Sequence, residues 1–273
     1  MSGIASPSVP GGATDVDEAK GHWLLAGLGK RVLRPGGVGL TRTLLAGARP
    51  EGADVVELAP GLGRTASEIV AAGPRSYVGV DRDPAAIRAL TQLLGIRGAV
   101  RQGDAAATGL PAASADVVVG EALLTMHGDR DKAAIITEAV RLLRPGGRYA
   151  IHELGLAPDS ISDQIKTDVR QALARTIRVN ARPLTAAEWQ ALLTSHGLVV
   201  DQVEYAPMAL LQPRRLLADE GLGGTLRFAG NLLRHRQARR RVLAMRRVFR
   251  ANRDHLTAVA LVAHKPHSDD PER

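Results

Sequence analysis

The chain has 273 residues, 45% of them apolar and 3% aromatic, with a net charge of +8. That length and apolar share support one domain with insertions and a sizeable core, and no run of about 20 uncharged apolar residues is present to span a bilayer. There is no cysteine, which excludes thiolate–zinc sites, iron–sulfur clusters and cysteine-nucleophile chemistry and fits a cytoplasmic protein.

Residues 1–14, rich in Ser, Pro and Gly, lack the basic start and apolar run of a secretory signal and are expected to form a disordered lead-in. A helical pattern with a glycine break follows over 15–50: Trp23, Leu24, Leu25 and Leu28, then Val32 and Leu33. The turn Arg34-Pro35-Gly36-Gly37 separates it from a second helix marked by Leu40, Leu44 and Leu45. These read as an N-terminal cap or as plain helices on the sheet edge.

Val55 and Val56 end a buried strand, and Glu57 stands where it stops. Ala59, Pro60, Gly61 and Gly63 then make a tight turn into an apolar helical pattern with Ala66, Ile69 and Val70. Strand, glycine turn and helix start let a backbone approach a nucleotide-like ligand. Gly61 to Ala66 satisfies the dinucleotide pattern G-x-G-x-x-A, so a nicotinamide cofactor stays open at this point. Tyr77 to Val80 is a second strand ending on Asp81, placed to accept from two ribose hydroxyls, with Arg82 beside it. Asp83-Pro84 supplies the next helix with its cap and first-turn proline. Ala99 to Gln102 is a third strand running into Gly103-Asp104-Ala105, where the Asp104 carboxylate and the Ala105 backbone N–H suit an adenine edge.

Asp116 to Gly120 reads as a central parallel strand, with Glu121 to His127 at its C-terminal edge. Arg144-Pro145-Gly146-Gly147 closes the next helix. Arg148 to Ile151 is the fifth strand, ending in His152-Glu153. Alternating strands and helices specify an α/β, doubly wound parallel sheet.

With these residues in order, the chain resembles the class I S-adenosylmethionine (SAM)-dependent methyltransferases, most closely the small-molecule type that includes the ubiquinone and menaquinone methyltransferases. The matching stretches are Val55 to Gly63, Val78 to Asp81, Gly103-Asp104-Ala105, and Arg141 to Tyr149. The resemblance implies SAM as cofactor, S-adenosylhomocysteine as product, and a seven-stranded Rossmann-like sheet whose last strand is antiparallel. It places Glu57, Ala59, Pro60, Gly61, Gly63, Asp81, Arg82, Asp104, Ala105 and Glu121 around the cofactor, with no metal. One departure is Ala59, where the family has glycine; a methyl fits there if φ is negative. Candidate general bases at the sheet edge are His127, His152 and Glu153, each with a structural alternative.

The methyltransferase domain is expected over 51–265, with helical insertions over 156–184 and 206–255 and a tail over 266–273. Thr185-Ala186-Ala187-Glu188 is a capping box, Leu198 to Tyr205 the sixth strand and Ala258 to Val262 the seventh. Between Gln212 and His255 stand 12 Arg and 3 acids, a charge of +9 that leaves the remainder near −1. Ala238, Val242, Met245, Phe249 and Leu256 fall at helical spacing among these arginines. The segment reads as a solvated helix, as a lid over an acidic or amphiphilic substrate, or as a membrane-surface or nucleic-acid patch. The expected acceptor is a small molecule. An RNA acceptor is the alternative, disfavoured by scarce aromatics, and a NAD-type oxidoreductase or an inactive SAM-fold partner protein are further ones. Oligomeric state is not legible in the sequence.

Overall fold

The chain up to Leu156 supplies five parallel strands in the order its apolar runs predict. The computed structural model describes residues 21–30 and 34–267; the lead-in over 1–14, residues 15–20, Val32, Leu33 and the end of the tail lie outside them. Helices α1 (Gly21–Gly27) and α2 (Gly37–Ala48) precede the sheet. Then come β1 (Asp54–Leu58), α3 (Arg64–Ala71), β2 (Ser76–Asp81), α4 (Pro84–Leu94), β3 (Ala99–Gln102), β4 (Ala115–Glu121), α5 (Asp129–Leu142) and β5 (Leu143–Leu156). The second half adds α6 (Asp163–Ile177), β6 (Leu184–Thr185), α7 (Ala186–Thr194), β7 (Val199–Pro207), α8 (Pro213–Arg234), α9 (Arg236–Ala251) and β8 (Leu256–His264).

The strands lie in the order β3-β2-β1-β4-β5-β8-β7. β8 inserts between β5 and β7 and runs antiparallel to both. The order reverses between β1 and β4, which opens a crevice at the C-terminal ends of the strands, where α/β sheets bind ligands. Side chains alternate across the sheet with period two. On β1, Val55 joins Leu44, Ile69 and Leu90 of α2, α3 and α4 on one face. Val56 joins Ile135 and Trp189 of α5 and α7 on the other.

Three differences from the sequence expectation matter. β5 continues past His152-Glu153 to Leu156, because β8 pairs with it residue by residue from Arg148 to Leu156. His152 and Glu153 therefore sit within a strand and point to opposite faces. A short extra strand, β6, pairs with the end of β5. The Arg-rich segment forms two helices, with α8 kinked at Gly221 (φ 69°, ψ 179°), and α9 ends at Ala251, so Leu256, which continues its helical spacing in the sequence, instead opens β8, where it pairs with Leu156.

The cap helices are tied to the second half of the chain. Leu24 and Leu25 of α1 and Leu28 just after it pack with Phe228 of α8 and Ala238, Val242 and Met245 of α9. The buried Lys30 ammonium lies 3.5 Å from Glu220, and the Val38 N–H donates to Asp219 at 3.1 Å. Among the described residues, no helix is long and apolar enough to cross a membrane.

Candidate active site

The glycine turn between β1 and α3 sits beside the β1/β4 switch point. Ala59 has φ 54°, so the negative φ that would accommodate its methyl easily is not adopted. The left-handed conformation costs a non-glycine residue roughly 1–2 kcal/mol, and the Ala59 N–H bond to the Val80 carbonyl at 2.8 Å holds it there. Gly63 caps α3 at φ 74°, and a Cβ on it would stand 2.6 Å from Leu93 and 2.7 Å from Leu90. Gly61 also has positive φ, but its Cβ direction is open; here a side chain would occupy the space over the turn.

Asp81 ends β2 buried, with its Oδ2 accepting from Gly61 N–H at 3.0 Å and its Oδ1 from Asp83 N–H at 2.9 Å. The acid thus clamps the glycine turn to the start of α4, and Arg82 beside it is exposed. Asp104 is exposed after β3 and turns the chain by accepting from Ala106 N–H at 2.8 Å. Ala105 packs partly buried against the core. Pro60 is buried under the turn.

Glu57 is buried within β1, in electrostatic reach of Glu121, Arg34 and Asp81. Its carboxyl is 2% exposed and accepts from the Tyr77 hydroxyl at 2.6 Å. Burial, only partly opposed by that hydrogen bond, pushes its pKa up to about 8, so near neutral pH it is an uncharged carboxyl.

Glu121, at the end of β4, is the centre of a polar knot that the sequence did not reveal. Its Oε1 accepts from Thr41 Oγ1 at 2.6 Å and from His152 Nδ1 at 2.9 Å. Its Oε2 accepts from Arg34 Nη1 at 2.5 Å and from the Thr65 hydroxyl. Burial raises the carboxyl's pKa, but Arg34, His152 and Thr41 outweigh it and hold the value at about 2. Arg34 also donates to Thr65, and its Nη2 lies 3.3 Å from Glu68. Its Nε is buried without a partner among the described residues.

His152 completes the knot. The Gly36 N–H donates to its Nε2 at 3.1 Å, so Nδ1 carries the ring proton that goes to Glu121. A Cβ on Gly36 would lie 2.9 Å from that Nε2, which is why glycine stands where the cap crosses the ring. Both ring nitrogens are thereby engaged. Glu153, on the opposite face of β5, is equally engaged. It accepts from the Leu123, Leu124 and Thr125 N–H groups at 3.0, 2.8 and 3.0 Å and from Thr125 Oγ1 at 2.6 Å. It shapes the loop after β4. His127 Nδ1 donates to the Leu123 carbonyl at 2.9 Å, leaving Nε2 as its other nitrogen. Of the three candidate bases, only His127 keeps a ring nitrogen or oxygen outside such bonds.

Beside Glu121 the crevice deepens into an apolar cavity of about 60 Å³. Its floor is Ala122, Thr125 and Met126 after β4 and Leu154 on β5. Its walls come from α1, α6 and α9 and from Met208 and Leu210 after β7. Among the described residues, Thr125 is the one lining residue with a polar side chain, and its hydroxyl already donates to Glu153. Ala122, like Ala59, is held at positive φ (52°). No candidate base lines this cavity.

Comparison with known proteins agrees with this geometry. The family model described as a methyltransferase domain matches residues 55–147, from β1 into β5. An uncharacterised protein of Haemophilus influenzae is 31% identical over 220 residues, covering 78% of this chain and 86% of that protein. Among solved structures, the MccD protein aligns with a TM-score of 0.67 at 18% identity, over 85% of this chain and 98% of its own. A SAM complex of phosphoethanolamine N-methyltransferase 2 from Haemonchus contortus aligns with a TM-score of 0.66 at 17% identity, over 90% of this chain and 56% of its own. At such identities the structures show the fold alone. Together with the matched domain they remove the nicotinamide reading of the glycine turn. The chain belongs to the class I SAM-dependent methyltransferases.

Proposed function

We propose that the protein methylates a small acceptor with an apolar body, held in the cavity between the end of β4 and helices α1, α6 and α9. The observation that carries this reading is the lining: among the described residues Thr125 alone interrupts an otherwise hydrocarbon surface, which begins at Ala122, the residue after Glu121. Specific small-molecule sites combine such walls with few polar groups. The helical segments after β5 and β7 cover it and serve as the acceptor's roof.

The residues around the glycine turn suit the cofactor. Gly61 leaves room for close approach, Asp81 stands where ribose hydroxyls would donate, and Asp104 with Ala105 stands at the adenine end. Arg34 and Glu121 offer one charge of each sign at the end that would hold a zwitterionic amino acid, and the unpartnered Arg34 Nε leaves a donor to satisfy. Glu57 braces the turn through Tyr77. Bound SAM supplies an electrophilic methyl on its sulfonium. The chain's own contribution is to exclude water and align the acceptor. Because none of the three candidate bases is among the described lining residues, an acceptor that brings its own lone pair, as a neutral amine or an ionised oxygen does, suits the cavity; His127, next in the chain to the lining residue Met126, is the candidate left to take up a proton. His152 and Glu153 act as positioning residues that fix the cap and the loop after β4. An RNA acceptor would use the arginine segment, but bases and phosphates match a hydrocarbon cavity poorly.

Calorimetry with SAM and its product tests the cofactor half: Asp81→Asn is expected to weaken SAM binding at least about tenfold, the loss of charged hydrogen bonds. Product formation across amines and phenols of graded hydrophobicity tests the acceptor half. A preference for small polar acceptors over apolar ones would refute it.

A further inference from the structure

The solvent-exposed sides of the two contacting helices α8 and α9 are hydrophobic and strongly basic. On α8, Leu222, Leu226 and Leu233 are 69, 64 and 71% exposed. Their spacings of 4 and 7 put them on one stripe, on the side of the helix away from the buried Phe228. On α9, Leu243 is 48% exposed, and Arg236, Arg240, Arg247 and Arg250 surround it on the same outward side. From Gly221 to Arg253 there are 10 Arg and no acid. Of the acids just outside that span, Asp219 and Glu220 hold the cap, and the exposed Asp254 pairs with Arg253 at its end. The inward face of the same α9 supplies Met245 and Phe249 to the apolar cavity. One helix thus separates the basic, leucine-bearing surface from the proposed acceptor pocket.

We propose that this face docks on the surface of an anionic lipid bilayer, with the leucines entering the acyl boundary and the arginines meeting lipid phosphates. The charge is complementary to such a surface and repels a second copy of the same face. Nucleic acid fits less well. Among residues 221–253 the only aromatics are Phe228, which is buried, and Phe249, which faces the cavity, so bases find nothing to stack on. Exposed leucines also contribute nothing to phosphate binding. The docking surface rests on the acceptor reading only for its purpose, the uptake of an apolar molecule from the bilayer beside the pocket. Binding itself is measured without cofactor or acceptor, so the two can fail separately.

The test is sedimentation of the full chain with vesicles of phosphatidylcholine, with or without phosphatidylglycerol, at about 0.1 M and about 0.5 M salt. Binding is expected only to the anionic vesicles and chiefly at low salt. Replacing Arg236, Arg240 and Arg247 together with Gln is expected to reduce partitioning on the order of 100-fold. Replacing Leu222, Leu226 and Leu233 together with Ser leaves the charge unchanged and is expected to reduce it at least about tenfold. Circular dichroism and SAM calorimetry check that both variants remain folded. Absence of vesicle binding, or wild-type binding by the leucine variant, would overturn the proposal. Tighter binding to RNA than to vesicles, unaffected by the leucine changes, would reassign the face to nucleic acid. Self-association abolished by the leucine changes would reassign it to a second copy.

Discussion

Glu57 offers a test of the buried site that needs neither cofactor nor acceptor. Its carboxyl is 2% exposed, and burial, against the opposing Tyr77 hydrogen bond, lifts its pKa from the ordinary 4.5 to about 8. Between those values the folded chain keeps a proton that the unfolded chain has released. Stability therefore falls with rising pH, by about 1.4 kcal/mol per pH unit. The contribution is fully present below the unfolded value and is lost as pH rises through the folded one. Glu57→Gln has no proton to lose and keeps an acceptor for Tyr77. The stability difference between variant and wild type is expected to move by about 2.5 kcal/mol in favour of glutamine between about pH 5.5 and about pH 7.5. Urea unfolding at each pH measures it, and every other titrating group cancels in the difference. A difference that stays constant to within about 0.5 kcal/mol across that range would mean that Glu57 is ionised in the folded chain and would refute the reasoning.

Two further substitutions probe the turn and the polar knot. Ala59→Gly relieves the φ of 54°; set against glycine's extra freedom in the unfolded chain, the expected gain is about 0.5–1 kcal/mol, and a lower urea midpoint would contradict it. Arg34→Met leaves the nearly buried Glu121 carboxylate without its counter-charge, an expected loss of about 3–5 kcal/mol. Adding Glu121→Gln, which keeps acceptors for Thr41 and His152, should restore at least about 1 kcal/mol; a double variant no more stable than Arg34→Met would show that the two charges are not paired.

Much of the sheet was legible because its signals are local. Apolar runs, helix stops and the Asp83-Pro84 and Thr185–Glu188 caps each act over a few residues, and the structure has both caps with their hydrogen bonds. The spacing of Ala238, Val242 and Met245 marked the buried side of α9 in the same way. β5 was read too short because its extension depends on β8, more than 100 residues away, for its ladder partners. The negative φ considered for Ala59 did not hold because the N–H of that residue is bonded across the sheet to Val80.

The candidate site divides along the same line. Gly61, Gly63, Asp81 and Asp104 could be picked out because a strand end followed by a turn places a residue at the sheet edge whatever the rest of the chain does. The Arg34–Glu121–His152 knot could not, since it joins the cap, β4 and β5 and no short-range pattern encodes it. The pentapeptide Leu-Arg-Pro-Gly-Gly makes the contrast plain, occurring both at 33–37 and at 143–147. Arg34 goes into the crevice to meet Glu121, whereas Arg144 pairs with Asp54 and Asp116 at the opposite ends of the strands. Local sequence interrupted the helical pattern in both cases, through proline and glycine conformational limits, as a turn before α2 and as the irregular start of β5. Only tertiary structure decided which arginine faces the site, because that depends on which buried carboxylate the fold brings within reach.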